Sequence, residues 1–190
     1  MRRAGQPAAS RADKGGVEQG AAWAPDVYQA LKEAEVRQAS YVPDAGLARL
    51  IELLHADRRI ATTLLTSEEE GVALAAGAWL GGQRSVLLMQ SSGVGNCINM
   101  LSLLANCRFP LLALITMRGE WAEFNPWQIP MGRAAPRALE LMGVKTIRVD
   151  AAADAAAAAS SAAVLAFDSD QAVAVLLSQR MLGRKSWSAK

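Results

Sequence analysis

The sequence has few of the residues that build disulfide frameworks or metal sites. Among its 190 residues there are two cysteines, Cys97 and Cys107, and one histidine, His55. Both cysteines fall in one predicted helix, 97–108, and their spacing matches neither a CxxC motif nor a zinc ligand set. We therefore expect free thiols in a reduced, cytoplasmic chain, and no metal ligands from this chain.

The sequence also lacks a long apolar run and a strong excess of either charge. A membrane-spanning helix needs about 20 consecutive apolar residues, and no stretch of that kind occurs. Lysine and arginine together number 20 against 18 acidic residues, spread along the chain. This balance argues against nucleic acid as a partner, and the lack of a long apolar run argues against a membrane. The hydrophobic fraction of 52% is that of a globular domain.

The N-terminal segment differs in composition from the rest of the chain. Residues 1–22 are basic and rich in small residues, without the apolar segment of a signal peptide. We interpret them as a disordered tail, with a targeting peptide as the alternative. Residues 23–190 then form one domain, of which the basic end GRKSWSAK is a second solvated tail.

Helical and strand patterns alternate from Trp23 onward. Apolar segments predict six strands, at 39–43, 60–65, 85–90, 110–116, 145–150 and 171–179. A helical period covers 25–38, and the β-branched segment 60–65 is predicted to be covered on both faces. This alternation predicts a doubly wound, mostly parallel six-stranded α/β sheet with helices on both faces.

The carboxyl ends of the strands are where ligands bind in such a sheet. Four loops then matter, and they follow Pro43, Leu65, Gln90 and Thr116. The unusual residues of the sequence are concentrated in these four loops. We therefore expect the functional site at this edge.

Three consecutive glutamates precede a nearly uncharged helix in TSEEEGVALAAGAWLGG. At about 100° per residue, Glu68 shares the inward face of that helix with Val72 and Ala75. A buried carboxylate costs free energy unless it has a partner, so Glu68 is a candidate functional residue. For Glu69 and Glu70 the electrostatic preference of acidic residues for a helix N-terminus is a sufficient explanation.

The segment QSSGVGN after the third predicted strand is interpreted as a glycine-containing loop that opens a helix. Gln90, Ser91, Ser92 and Asn96 supply hydrogen-bonding groups there, and the glycines allow close approach of a ligand to the backbone. A lone GxG is a weak signal that many chain reversals share. The full GxGxxG pattern is absent, which argues against dinucleotide binding.

The segment from Met117 to Gly132 is long for a simple connection. It carries three aromatic residues, Trp121, Phe124 and Trp127, which are unfavourable to expose. We interpret it as a lid or a subunit interface, with a loop folded over its own core as the alternative.

These motifs together resemble a known family. EEEGVALAAG, LLMQSSGVGNCINMLSLL, ITMRGE and the YVPD at the first strand end are similar to the pyrimidine-binding (PYR) domain of thiamine-diphosphate enzymes. Within that group the resemblance is strongest to sulfopyruvate decarboxylase alpha subunits, followed by phosphonopyruvate decarboxylases. It extends from about Trp23 to Gln179 and implies the PYR-type thiamine-diphosphate-binding fold.

The resemblance also assigns the buried glutamate. In these enzymes an essential glutamate lies nine residues before the glycine of AAG, and counting back from Gly77 leads to Glu68. It is implied to hydrogen-bond N1′ of the cofactor's aminopyrimidine and to share its proton. The resemblance places six further residues at the pyrimidine: Gln90, Ser91, Ser92, Gly93, Gly95 and Asn96.

Two residues are candidates for the substrate, Asp44 from the resemblance and Arg118 by inference from its chemistry. Asp44 is expected to face it, and the planar guanidinium of Arg118 suits an anionic head group such as sulfonate or phosphonate. For Arg118 the alternative is a salt bridge to Glu120 or Glu123.

The second signature of the family is absent. These enzymes hold diphosphate and Mg²⁺ with a domain marked by GDG and a downstream asparagine, and the sequence contains no GDG. The resemblance therefore implies a separate beta subunit that binds the diphosphate and Mg²⁺, with Glu68 reaching the thiamine diphosphate across the interface.

The implied activity is decarboxylation of a small 2-oxo acid. The first expectation is 3-sulfopyruvate, converted to sulfoacetaldehyde and carbon dioxide. Phosphonopyruvate or another 2-oxo acid is the second, and a non-catalytic binding module on the same fold is the third, because fold alone does not establish function.

Overall fold

Strands and helices alternate through residues 22–183, the part of the chain that the computed structural model describes. The strands are β1 (Val36–Tyr41), β2 (Ala61–Leu64), β3 (Arg84–Gln90), β4 (Leu111–Thr116), β5 (Lys145–Val149) and β6 (Ala172–Leu177). The α-helices are α1 (Ala24–Glu33), α2 (Ala48–Ala56), α3 (Glu68–Leu80), α4 (Ser91–Cys97), α5 (Ser102–Cys107), α6 (Ile129–Leu141), α7 (Ala155–Phe167) and α8 (Gln179–Leu182). Short 3₁₀ turns at Pro126–Gln128 and Ala152–Asp154 precede α6 and α7.

The six strands form one sheet in the order β2-β1-β3-β4-β6-β5. Every neighbouring pair is parallel, so all carboxyl ends meet at one edge. The central strand β4 is buried along its whole length, as expected for a strand covered on both faces. The predicted fold class, a doubly wound parallel α/β sheet, is confirmed.

Two hydrophobic cores lie on opposite faces of the sheet. One is formed with the apolar sides of α1, α2 and α7, and the other with those of α3, α4, α5 and α6. Alternate residues of β4 divide between the cores: Leu112 and Leu114 face the first, whereas Leu111, Ala113 and Ile115 face the second. The helices with the glutamates and the glycine-containing segment therefore share one face.

Two predictions near the start of the domain were wrong: where the first helix ends, and that the second strand is covered on both faces. The helical pattern predicted over 25–38 ends earlier, because Glu35 adopts a left-handed φ of 58° and β1 begins at Val36. The strand predicted to be covered on both faces, β2, is an edge strand that pairs only with β1. Its residues are mostly exposed, including Leu64 at 62%.

The segment after β3 also differs from its prediction. SSGVGN is not a loop, because α4 begins at Ser91 directly after the extended Gln90. The predicted helix over 97–108 is divided by a turn, so that Cys97 ends α4 and Cys107 ends α5. The two thiols therefore lie on separate helices, one buried and one exposed.

The predicted tails fall almost entirely outside the described residues, which exclude 1–21 and 184–190. Between residues 22 and 183, no helix combines the length and hydropathy that crossing a bilayer requires.

Helix α6 approaches the loop after β4 at a glycine. A Cβ atom placed on Gly132 would lie 1.8 Å from the carbonyl oxygen of Arg118 and 3.1 Å from Cα of Gly119. These are backbone atoms and cannot rotate away as a side chain does. The contact therefore holds the start of α6 directly against this loop.

Replacing Gly132 by alanine should destabilise the chain by roughly 2 kcal/mol or more, because the added methyl group must displace the backbone. Gly77→Ala in α3 is the matched control, since its Cβ would meet nothing within 4 Å. That control should stabilise the chain by about 0.5–1 kcal/mol through helix propensity. Urea denaturation of both variants measures the difference, and equal stabilities would contradict the close contact.

Candidate active site

Glu68 is the first residue of α3 and lies at the carboxyl edge of the sheet, directly after β2. Its relative exposure is 7%, whereas Glu69 and Glu70 are exposed. The burial of Glu68, predicted from its position on the inward face of the helix, is therefore confirmed. Glu70 has a local role, because its carboxylate accepts the backbone N–H of Thr66.

Glycine and asparagine from α4 surround the Glu68 carboxylate. Asn96 donates from Nδ2 to Oε2 of Glu68 at 2.8 Å. A Cβ atom on Gly93 would lie 2.4 Å from both Cδ and Oε1 of Glu68, so glycine is required for this approach. Among residues 22–183, Asn96 is the only side chain that hydrogen-bonds this carboxylate, and it leaves Oε1 as an open acceptor.

A second polar cluster joins the carboxyl ends of β1, β3 and β4. Asp44 accepts from Nε2 of Gln90 through Oδ1 and from the hydroxyl of Thr116 through Oδ2, each at 2.9 Å. The Gly46 backbone N–H also donates to Oδ2. Ser92 donates to Oε1 of Gln90 at 3.0 Å. The expected neighbours Asp44, Gln90 and Ser92 are thus brought together, and their roles toward a ligand stay predictions.

The loop 117–125 follows β4 at the same edge. The Arg118 guanidinium donates to the Glu123 carboxylate from Nε at 2.7 Å and from Nη2 at 2.6 Å. The pair is almost completely buried, with side-chain exposures of 8% and 3%. This is the salt bridge to Glu123 that the sequence offered as the alternative to a substrate-binding role for Arg118. Glu120 instead pairs with Arg148 of β5.

The ion pair stabilises the charged form of Glu123. Hydrogen bonds from Arg118 lower the pKa of this carboxyl from 4.5 to about 2, against the opposing effect of burial. Cys97 of α4 behaves in the opposite way, because burial raises the pKa of its thiol to about 12 and the nearby Glu68 adds to the shift. Cys97 therefore packs in the second core as a neutral thiol.

The remaining predicted residues have structural contacts. Ser91 is fully buried and its Oγ accepts the backbone N–H of Arg118 at 3.1 Å, which joins α4 to the loop. Gly95 is exposed and faces Met131 of α6, whose Sδ would lie 3.4 Å from an added Cβ. The aromatic residues of the loop region are exposed, with Trp121 at 43%, Phe124 at 40% and Trp127 at 86%.

Sequence reasoning missed two polar residues of this edge. Thr116 ends the apolar β4 and binds Asp44. Gln179 follows the apolar β6, is 2% exposed, and binds Glu123 from Nε2 at 2.9 Å. A signal was present in both cases, because a polar residue directly after a buried strand lies at the ligand edge of a parallel sheet.

A comparison with solved structures defines the class of the fold. The chain is similar to 2-oxoglutarate:ferredoxin oxidoreductase from Magnetococcus marinus, with a TM-score of 0.65. The similarity covers 84% of this chain and 29% of the other, at 14% identity. It therefore shows the fold alone, and it agrees with the predicted PYR-type doubly wound fold. No family model matches the sequence.

Curated relatives define the family. The chain is 35% identical over 152 residues to sulfopyruvate decarboxylase subunit alpha of Methanothermobacter thermautotrophicus, covering 80% of this chain and 92% of the relative. For the same subunit of Methanocaldococcus jannaschii, the identity is 38% over 64% of this chain and 73% of the relative. The chain belongs to the sulfopyruvate decarboxylase alpha-subunit family.

A third relative is longer. Phosphonopyruvate decarboxylase of Streptomyces viridochromogenes is 37% identical over 62% of this chain, but the match spans only 30% of that protein. The alpha subunits are thus matched over most of their length, and this enzyme over less than a third.

The Arg118–Glu123 pair predicts a pH-dependent stability. Because the folded-state pKa of Glu123 lies below its ordinary value of 4.5, the stabilisation is complete above about pH 5 and is lost as the pH falls toward 2. Glu123→Gln should cost about 2 kcal/mol near pH 7, since it leaves a buried guanidinium unpaired.

Denaturation of the wild type and Glu123→Gln at several pH values provides the measurement. The difference in free energy of unfolding should shrink below about pH 4.5, as protonation makes the wild-type residue neutral too. Exposed Glu69→Gln is the matched control and should show no such difference. A cost for Glu123→Gln that stays constant down to about pH 2.5 would contradict the buried ion pair.

Proposed function

We propose that this chain is the pyrimidine-binding alpha subunit of a thiamine-diphosphate-dependent decarboxylase that converts 3-sulfopyruvate to sulfoacetaldehyde and carbon dioxide. The observation that carries the proposal is the buried carboxylate of Glu68, approached by Gly93 at the carboxyl edge of the sheet. Relatives matched over 73% to 92% of their length are named sulfopyruvate decarboxylase alpha subunits, which supports the substrate.

The polar groups at Glu68 suit the edge of an aminopyrimidine ring. Gly93 lets the carboxylate lie directly against α4 without a clash, and Asn96 orients the carboxylate through Oε2. The open Oε1 can accept a hydrogen bond from a ring nitrogen. When bound, thiamine diphosphate supplies the electron sink that a 2-oxo acid needs to lose carbon dioxide.

Glu68 would act on the proton shared with N1′ of that ring. Burial gives a low local dielectric, which strengthens a hydrogen bond to the carboxylate. The N-terminus of α3 adds a favourable partial charge that keeps the carboxylate in place. Asn96 and Gly93 act through Glu68: the first fixes its orientation, and the second permits the close packing.

A separate beta subunit would supply the diphosphate and Mg²⁺ site. The sequence carries no GDG motif, and its relatives are named as subunits. In residues 22–183 no group of three or more histidine, cysteine or acidic side chains could hold a metal ion. The cofactor would then lie between the two chains, with Glu68 on the alpha side.

Recognition of the sulfonate would involve Arg118 and Asp44. Arg118 donates to Glu123 from Nε and Nη2, which leaves both N–H groups of Nη1 and one of Nη2 that could bind an anion. Asp44 is hydrogen-bonded by Gln90 and Thr116, which would orient it toward the substrate edge. The role of Asp44 is carried by the resemblance, and that of Arg118 by the chemistry of its guanidinium and its position at the carboxyl edge of the sheet.

Glu68→Gln should lower the decarboxylation rate by at least about a hundredfold, because the amide cannot share the proton of the pyrimidine. The variant is nearly isosteric, so its melting temperature and its binding to the beta subunit should match those of the wild type. Carbon dioxide release from 3-sulfopyruvate with both subunits and thiamine diphosphate present measures the effect.

Exposed Glu69→Gln is the control and should retain activity within about twofold. If Glu68→Gln retains activity within about tenfold of the wild type, the assignment of Glu68 is wrong. Substituting phosphonopyruvate for 3-sulfopyruvate in the same assay distinguishes the two candidate substrates.

The partner is tested by mild affinity purification of the chain from its native cells. We expect a second chain with GDG and a downstream asparagine, and decarboxylation that requires both chains. Purification of the chain alone, without binding of thiamine diphosphate to the preparation, would favour the non-catalytic binding module.

A further inference from the structure

The Glu123 carboxylate binds the backbone of the loop 117–125 as well as Arg118. It accepts the N–H of Gly119 at 3.2 Å and that of Asn125 at 3.0 Å. Its side chain is only 3% exposed, so these bonds are protected from water. Glu123 therefore ties both ends of the loop together from the inside.

Gln179, at the start of α8, binds the middle of the same loop. Its Oε1 accepts the backbone N–H of Glu120 at 3.1 Å and of Trp121 at 3.0 Å. Its Nε2 donates to Glu123 at 2.9 Å, which joins the two side chains. Together they hold four backbone N–H groups of one loop, and Gln179 itself is 2% exposed.

The loop is thus held by hydrogen bonds on its inner side, and its outer side exposes aromatic residues beside the Glu120–Arg148 ion pair. Trp121 and Phe124 expose 43% and 40% of their surfaces, and Ala122 between them keeps a left-handed φ of 45°. Such a conformation persists only where the surroundings hold it. Rigid exposed aromatic residues are favourable binding anchors, because little conformational entropy is lost on association.

The position of the loop indicates what it binds. The Arg118 N–H donates to Ser91, the first residue of α4, and α4 also carries Gly93 and Asn96 against Glu68. A chain that brings a cofactor to Glu68 must therefore approach this edge.

We propose that Gln179 and Glu123 are positioning residues that preorganise the loop 117–125 as a docking surface for the beta subunit. The inference rests on the proposed function, which requires such a subunit. Gln179 touches neither cofactor nor substrate in this account. It acts through Glu123 and through the backbone of Glu120 and Trp121.

Gln179→Met tests the proposal, because methionine has a similar length and no strong hydrogen-bonding group. In the full-length chain, hydrogen exchange at the amides of residues 119–125 should accelerate on the order of tenfold. Amides of β3 and β4 should exchange as in the wild type. Gln171→Met is the matched control: Gln171 is exposed, lies at the other end of β6, and should leave the exchange unchanged.

Titration with the beta subunit gives the second readout. Gln179→Met should raise the half-saturating concentration of the partner on the order of tenfold, with kcat at saturation within about twofold of the wild type. A fall in kcat at saturation without a change in partner affinity would overturn the docking role. Unchanged exchange at residues 119–125 would overturn the preorganisation.

A second variant guards against misfolding. Gln179→Glu keeps the acceptor for Glu120 and Trp121 but replaces the donor to Glu123 with a carboxylate. It should loosen the loop near neutral pH and recover wild-type exchange in acid as the carboxylate pair gains a proton. If the amides of residues 119–125 in the variant still exchange faster than those of the wild type at acid pH, the contact is contradicted. If the wild type binds no partner, the proposed function and the docking role both fail, whereas the exchange data still decide the preorganisation.

Discussion

The packing of α4 against the first turn of α3 places a bare glycine against a carboxylate. At Gly93 a single methyl group would overlap Glu68, and the absence of a side chain there is what allows the carboxylate to be buried. Asn96, one turn further along α4, supplies the hydrogen bond that makes the burial tolerable. The candidate chemistry depends on this contact, and Ser91 at the start of the same helix joins α4 to the loop 117–125 through the backbone N–H of Arg118.

The parallel sheet explains why polar residues from distant parts of the sequence meet. β1, β3 and β4 end at one edge, so Asp44 after β1 accepts hydrogen bonds from Gln90 of β3 and Thr116 of β4. β6 lies beside β4 and brings Gln179 to the same edge. The hydrophobic core below holds the strand ends in place, and the polar network above it aligns the side chains.

The two halves of the edge differ in what they offer to another molecule. At Glu68 a buried carboxylate packs against the backbone of Gly93, and only Asn96 donates to it among the side chains of residues 22–183. Around Glu123 the hydrogen-bonding groups are satisfied internally and the exposed groups are aromatic, which suits a protein surface. Under the proposed function, a cofactor shared with a partner would require both kinds of surface side by side.

Local pattern along the chain was enough to predict the alternation of strands and helices, the parallel sheet and the burial of Glu68, because each depends on periodicity within one segment. The identity of the edge strand was not predictable in this way: β2 has the composition of a buried strand, and only the strand order exposes Leu64. Arg118 has two acidic residues nearby in sequence, Glu120 and Glu123, and only the fold of the loop determines that it forms its salt bridge with Glu123. Gln179 reaches the loop because β6 pairs with β4. This pairing joins residues far apart in sequence, so a local pattern could not predict it.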